Sequence, residues 1–177
     1  MDEGCITRMS DRIYTIEWQP ALYNGVTYRS RLEARWAVFF NSLGVIHSYE
    51  PRTFYFPEYY GQVELYQFTP DFGILAGYDF IEIKFSAPIP NEYAKVRMLS
   101  SMGYKCAILA GGCNPDIQIY LFENGHRKYI PRTSTFLQQC FQFRLNGRQG
   151  ETIAALKTVL GKGNYTKAFR KAWEFKA

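Results

Sequence analysis

The stretch FTPDFGILAGYDFIEIKFS, residues 68–86, decides how this chain is read. It has β-strand composition on both sides of a Gly77-Tyr78 turn, yet Asp71, Glu82 and Lys84 interrupt it. Folded as a hairpin with its turn near Gly77 and Tyr78, it sets Asp71 opposite Lys84, Phe72 opposite Ile83 and Ile74 opposite Ile81. Side chains alternate across a strand, so Phe72, Ile74, Ile81 and Ile83 share one face. Asp71, Gly73, Glu82 and Lys84 share the other. The expectation is one dry face and one charged face, with Gly73 leaving room between the acids. A solvated strand with a Glu82–Lys84 surface pair would explain the charges at little energetic gain. Against that, Pro70 opens the strand, and the alternate positions are too apolar for a casual surface hairpin.

Two carboxylates beside a lysine have a specific chemical use. Asp71 and Glu82 supply hard oxygen ligands for Mg²⁺, and the Ile83 carbonyl supplies another. Such an ion polarises a phosphodiester and lowers the pKa of a bound water. Lys84 then orients or helps to deprotonate that water, or stabilises charge building on the phosphate. Glu33 has two readings. Ser30-Arg31-Leu32-Glu33 fits a capping box in which Glu33 bonds back to the Ser30 backbone. Glu33 also stands one turn before Trp36 and Ala37, at the margin of an apolar helix face and directed towards the sheet edge.

Working outward, SRLEARWAVFFNSLG predicts a helix with Ser30 as N-cap and Gly44 just past its end. Leu32, Trp36, Phe39, Phe40 and Leu43 recur at helical spacing as its core face. VIHSYEP and TFYFP read as strands broken at Pro51, followed by a tyrosine-rich loop. PNEYAKVRMLSSMG predicts a second helix ending at Gly103, and YKCAILAGG an apolar strand. IQIYLFENGHRKYIP predicts a hairpin turning at Asn124-Gly125. TSTFLQQCFQF is a candidate short helix, and residues 149–177 give two closing helices split by Gly161 and Gly163. Residues 1–29 form an extended lead-in with a turn at Asn24-Gly25. The order implies one α/β domain over 1–177, a mixed central sheet flanked by helices.

With 177 residues the chain is long enough to bury a substantial core. The net charge of +5 permits a polyanionic partner. An aromatic fraction of 18% supplies core, with some rings available to stack on bases. Cys5, Cys106, Cys113 and Cys140 form no CxxC pair, which argues against zinc and for a reduced, cytoplasmic setting. The polar opening MDEGCITRMSDRIY is unlike a secretory signal, and no apolar run suits a bilayer, so no membrane partner is expected. His47 and His126 read as structural or solvated. At the C-terminal end, Tyr165, Ala168, Phe169, Ala172 and Trp173 form an apolar stripe accompanied by Lys162, Lys167, Arg170, Lys171 and Lys176. The basic side is either a wet helix face or a phosphate-contacting one. Arg29, Arg31 and Arg35 are similar candidates for nucleic-acid binding.

TPDF followed by IEIK resembles the PD-(D/E)XK nuclease signature, with Pro70-Asp71 and Glu82-Ile83-Lys84 matching it. The preceding YRSRLEARWAVFFNSLGVIHSYEP is similar to the first helix and strand of a phage- and plasmid-associated branch of that superfamily. There the helix carries a Glu, here Glu33, and leads to a strand ending in Tyr49-Glu50-Pro51. EYAKVRMLSSMGYKCAILAGG looks like the branch's next helix and strand, and YTKAFRKAWEF like its closing helix. The resemblance implies a restriction-endonuclease-like core and Mg²⁺-dependent hydrolysis of DNA phosphodiesters, with Mn²⁺ as a substitute. Asp71 and Glu82 would be metal ligands, Lys84 the water-positioning cation and Glu33 an outer or second-metal ligand. FSAPIPNEYAK after the motif departs from it in carrying few basic residues. Repair, junction resolution and phage or mobile-element DNA processing all suit such an enzyme, in the host cytoplasm if phage-encoded. Two cuts on a duplex would favour a homodimer. The alternative is an inactive nucleic-acid-binding or assembly protein on the same fold.

Overall fold

The computed structural model describes residues 19–56, 67–74, 79–128 and 162–176. A short hairpin opens it, β1 (Ala21–Tyr23) against β2 (Val26–Tyr28). Its turn has Asn24 and Gly25 at φ 51° and 78°, the positive pair that matches strand twist in a two-residue loop. Helix α1 (Arg31–Ser42) follows, capped by the Ser30 hydroxyl, which accepts from the Glu33 N–H. Leu32, Trp36, Phe39, Phe40 and Leu43 are all buried, as the helical spacing requires.

A six-stranded mixed sheet forms the centre, in the order β10-β9-β8-β7-β6-β3. Its strands are β3 (His47–Tyr49), β6 (Phe72–Ile74), β7 (Phe80–Lys84), β8 (Cys106–Ala110), β9 (Gln118–Glu123) and β10 (His126–Lys128). Only β7 and β8 run parallel, joined through helix α2 (Pro90–Ser101); the other neighbours are antiparallel. A parallel pair needs such a crossover, and a helix provides it. A separate two-stranded ribbon pairs β4 (Phe54–Tyr55) with β5 (Gln67–Phe68). Helix α3 (Lys162–Glu174) closes the described chain. The fold is therefore mixed α/β, with three helices among the described residues.

Both sheet faces are dry over most of their area. On one, Phe72, Ile74, Ile81, Ile83 and Leu109 meet α1 and α3 in a single cluster. Helices α1 and α3 interlock through Trp36, Phe39, Tyr165 and Phe169, with Phe39 and Phe169 ring centres 4.4 Å apart. On the other face, Val96, Met98 and Leu99 of α2 join Phe54, Phe68, Ile108 and Phe122 in a second cluster, with Phe80 against it. The expectation of one wholly charged face is thus corrected: charge is confined to one end of it, because β7 is an interior strand covered on both sides.

Three further expectations are corrected. The β6–β7 register pairs Phe72 with Ile81 and Gly73 with Phe80, two residues away from the Asp71–Lys84 pairing. The space beside Gly73 is filled: a Cβ there would meet Pro51 Cγ at 2.9 Å and Ser48 Oγ at 3.0 Å. The last helix starts at Lys162, so Gly163 lies inside it instead of splitting two helices. The Gly77-Tyr78 turn, the TSTFLQQCFQF helix and the first closing helix lie outside the described residues, as do Cys5 and Cys140.

Candidate active site

Four segments converge at one end of the sheet. The second half of β7 supplies Glu82 and Lys84, and Asp71 stands at the bend entering β6. The first turn of α1 supplies Glu33, and β3 runs out into Tyr49 and Glu50. Between them is a cleft of about 130 Å³ lined by Arg29, Ser30, Glu33, Asp71, Ile83 and Lys84. The four residues singled out for chemistry, 33, 71, 82 and 84, are brought together.

Asp71 is only 2% exposed. Its Oδ2 accepts the Ile83 N–H at 2.7 Å, and its Oδ1 accepts from the Arg29 guanidinium at 2.6 Å. Glu82 is buried as well; its Oε2 accepts the Asp71 N–H at 3.3 Å and its Oε1 pairs with Lys84 Nζ at 2.8 Å. Lys84 reaches a second acid, Glu92 of α2, at 3.3 Å. Continuing the β6–β7 register would set Ile83 opposite Pro70, a residue with no N–H to give. The Ile83 carbonyl is therefore left without its ladder donor, at the point where the Asp71 carboxylate lies.

Glu33 is fixed from two sides. The Ser30 hydroxyl donates to Oε1 at 2.8 Å, and the Tyr49 phenol donates to Oε2 at 2.5 Å. The helix cap is real, but the return bond comes from the Ser30 hydroxyl and not from its backbone N–H, which corrects the reciprocal capping box. Capping and cleft-lining coexist in one residue. Arg29 Nε pairs with Glu50 Oε1 at 2.8 Å, and Glu50 adopts φ 44°, a left-handed conformation that a β-carbon disfavours.

The electrostatics are strained in one direction. Burial pushes the Asp71 carboxyl well above the usual carboxylate range, with Glu82 and then Glu33 adding to it; the Ile83 N–H and Lys84 oppose without cancelling. Burial also raises Glu82, against the pull of Lys84. Burial alone would discharge Lys84, yet Glu82, Asp71 and Glu92 outweigh it and hold the ammonium protonated. Arg29 is held charged in the same way: burial opposes it, while Tyr49, Asp71, Glu33 and Glu50 favour it. Carboxylate and carbonyl oxygens of this kind are the donors Mg²⁺ and Ca²⁺ take. Among the described residues no group of three or more His, Cys, Asp or Glu side chains converges as a metal cage. A cation here would rest on Asp71, Glu82 and the Ile83 carbonyl.

Sequence reasoning missed what Arg29, Tyr49, Glu50 and Glu92 do here. Arg29, a candidate for nucleic-acid binding, also pairs with Asp71 at 2.6 Å. Glu92 carries its own helix-start signal, accepting the Ile89 N–H at 2.9 Å in the first turn of α2, which hides its second role beside Lys84. Lys167, Arg170 and Lys171 are exposed on α3 and outside the cleft lining, while Arg31 and Arg35 stand one turn apart on α1. His47 is wedged against Phe40 and Phe72, and burial lowers its pKa, a structural role. Cys106 and Cys113 are buried free thiols. No helix among the described residues is long and apolar enough to cross a membrane. The chain matches no protein-family model, no curated protein and no solved structure.

Proposed function

We propose that the chain is a metal-dependent nuclease of the PD-(D/E)XK type, with a restriction-endonuclease-like core, that hydrolyses DNA phosphodiester bonds. One observation carries the reading: two buried acids and a lysine meet at an interrupted strand ladder, where the fold gains nothing from mutual carboxylate repulsion. The resemblance of TPDF and IEIK to the superfamily signature falls on these same residues.

The donor set fits Mg²⁺ or Mn²⁺, because hard oxygens converge where two acids remain under-compensated by Arg29 and Lys84. Asp71, Glu82 and the Ile83 carbonyl would hold the ion. When bound, it supplies Lewis acidity towards the phosphodiester and a water of lowered pKa. Lys84, kept protonated by Glu82 and Glu92, directs its N–H groups at the attacking water or at a phosphoryl oxygen. Glu33, its carboxylate held by Ser30 and Tyr49, faces the same cleft and orients water there. The Arg29 side chain is 60% exposed, so it has room to turn from Asp71 to a phosphate oxygen.

The test is a cleavage panel of linear duplex, supercoiled plasmid, single strand, flap and four-way junction, each with Mg²⁺ or Mn²⁺. Cutting should require the metal and fall by roughly 10²–10³-fold or more in Asp71→Ala, Glu82→Ala and Lys84→Ala. Folded variants that cut as well as the parent would refute the assignment. A second reading, a non-enzymatic DNA-binding or assembly protein, is favoured by the internal pairing of both acids with Arg29 and Lys84. Metal-independent binding without nicking on every substrate would select it.

A further inference from the structure

The carboxylate oxygens of Asp71 and Glu82 all have partners inside the fold, and these partners differ in how firmly they are mounted. Asp71 Oδ2 takes the Ile83 N–H and Glu82 Oε2 the Asp71 N–H, so both are tied to backbone. Glu82 Oε1 faces Lys84, whose ammonium is shared with Glu92. Asp71 Oδ1 faces Arg29 Nη2 at 2.6 Å, and here the partner stands on a mostly exposed side chain that lines the cleft. The Arg29 main chain is anchored, since its N–H donates to the Tyr49 hydroxyl at 3.0 Å. The guanidinium is gripped from its outer side as well, its Nε pairing with Glu50 Oε1 at 2.8 Å. Glu50 is held in place for this grip. Its N–H donates to the Asp71 carbonyl at 2.9 Å, and its φ of 44° is a conformation that a glutamate keeps only where its surroundings impose it. A divalent ion on Asp71 Oδ1 at about 2.1 Å would lie roughly 4 Å from a guanidinium nitrogen on the same oxygen, like charge against like. The two compete for that oxygen, and Arg29 is the one on a stem that can swing.

We infer that Arg29 is a resident counter-ion that couples metal binding to substrate binding. It holds the cation's place on Asp71 Oδ1 until a divalent ion displaces it, and a nucleic-acid phosphate then receives the displaced guanidinium. Arginine suits such an exchange, because its planar fork presents the same paired N–H donors to a carboxylate and to a phosphate. Glu50 is the positioning residue that sets the guanidinium on Asp71. The consequence is a linkage with a definite sign. Arg29 weakens metal binding in the empty cleft, and a phosphate that takes Arg29 away removes the competition. Metal therefore binds more tightly once the backbone is in place, and by reciprocity the nucleic acid binds more tightly once the metal is. The phosphate rests on the nuclease reading above; the occupied Asp71 oxygen stands apart from it.

The test is calorimetric titration of Mn²⁺ into the protein alone, which reads binding and not activity. Arg29→Met keeps most of the stem and removes the competing charge. It should bind Mn²⁺ roughly threefold to fivefold more tightly than the parent, the worth of one exposed charge pair. Arg29→Gln keeps an N–H donor without the charge and serves if the methionine variant folds poorly. Arg52→Met is the control: its guanidinium lies over the Phe54 ring, outside the cleft lining, and its loss should leave Mn²⁺ affinity unchanged. The titrations are repeated with a saturating phosphorothioate duplex, which keeps the backbone charge and resists hydrolysis. The duplex should raise the Mn²⁺ affinity of the parent severalfold more than that of Arg29→Met. An Arg29→Met variant that binds Mn²⁺ no more tightly than the parent overturns the inference. So does an equal gain in Arg52→Met, or an equal rise with duplex in parent and variant. If the parent cuts DNA but Arg29→Met shows no gain, this inference fails and the nuclease reading stands. If the gain and the coupling are found but no metal brings cleavage, the reverse holds.

Discussion

Replacing Asp71 by Asn should stabilise the metal-free protein and abolish its response to metal. Asp71 is 2% exposed, and burial, Glu82 and Glu33 all disfavour its charge. Its folded pKa lies above the unfolded one, so ionisation destabilises the fold. That penalty is absent below the unfolded value of about 3.9, grows as pH rises through the folded pKa and is complete above it. Each unit of displacement is worth about 1.4 kcal/mol. Asparagine removes the charge and still accepts the Ile83 N–H. It forfeits the Arg29 contact, which a 60% exposed side chain makes worth under about 1 kcal/mol. Each kcal/mol of net gain raises the melting temperature by about 2–4 °C in a domain of this size. Thermal melts in chelator at pH 8 and pH 5 should show the variant above the parent, with the gap smaller at the lower pH. Adding Mg²⁺ or Mn²⁺ at a hundred times its dissociation constant should stabilise the parent by about 2.7 kcal/mol and leave the variant unmoved. An asparagine variant that melts at or below the parent in chelator, or gains equally from metal, refutes the reasoning.

Lys84→Ala strands Glu82 and Glu92 without the ammonium now at 2.8 Å and 3.3 Å, and should cost about 2–3 kcal/mol in urea unfolding. Adding Glu82→Gln should recover a good part of that; no recovery would mean that Lys84 stabilises by its methylene stem and not by its charge. Gly73→Ala drives a Cβ to 2.9 Å from Pro51 Cγ and should destabilise by about 1–3 kcal/mol. An unchanged melting temperature would show that Pro51 moves away freely.

The faces of the opening hairpin were legible, and its register was not, for one physical reason. Side chains alternate with period two, so a slip of two residues keeps Phe72, Ile74, Ile81 and Ile83 together while changing every pairing partner. Helix α1 was legible because a serine cap, helical spacing and a terminal glycine all agree. The second core was not: Phe80, Ile108 and Phe122 lie on the face that carries Glu82 and Lys84, and α2 together with Phe54 and Phe68 of the β4–β5 ribbon makes it dry. The pairing of Arg29 with Asp71 was not legible because the two are 42 residues apart in the chain, a separation that no local pattern spans. Trp173 fits the stripe by period but stands at its margin, where Arg35 covers it in place of apolar side chains.

Pro70 and Asp71 act as one device. An antiparallel ladder would give Ile83 a backbone partner on both its N–H and its carbonyl. Proline at position 70 has no N–H to give the Ile83 carbonyl, and Asp71 Oδ2 accepts the Ile83 N–H at 2.7 Å, so a side chain stands where the strand would. The Ile83 carbonyl is thereby left without a ladder donor on the edge where Asp71 holds the N–H. On its other edge β7 stays fully laddered: Ile83 pairs with Leu109, and the Gly111 N–H reaches the Lys84 carbonyl at 2.8 Å. Glu82 and Lys84 therefore project from a strand that β8 pins along its whole length and that β6 pairs only as far as Ile81. A site assembled this way is rigid where its groups must be aimed, and unsatisfied only where a ligand can enter.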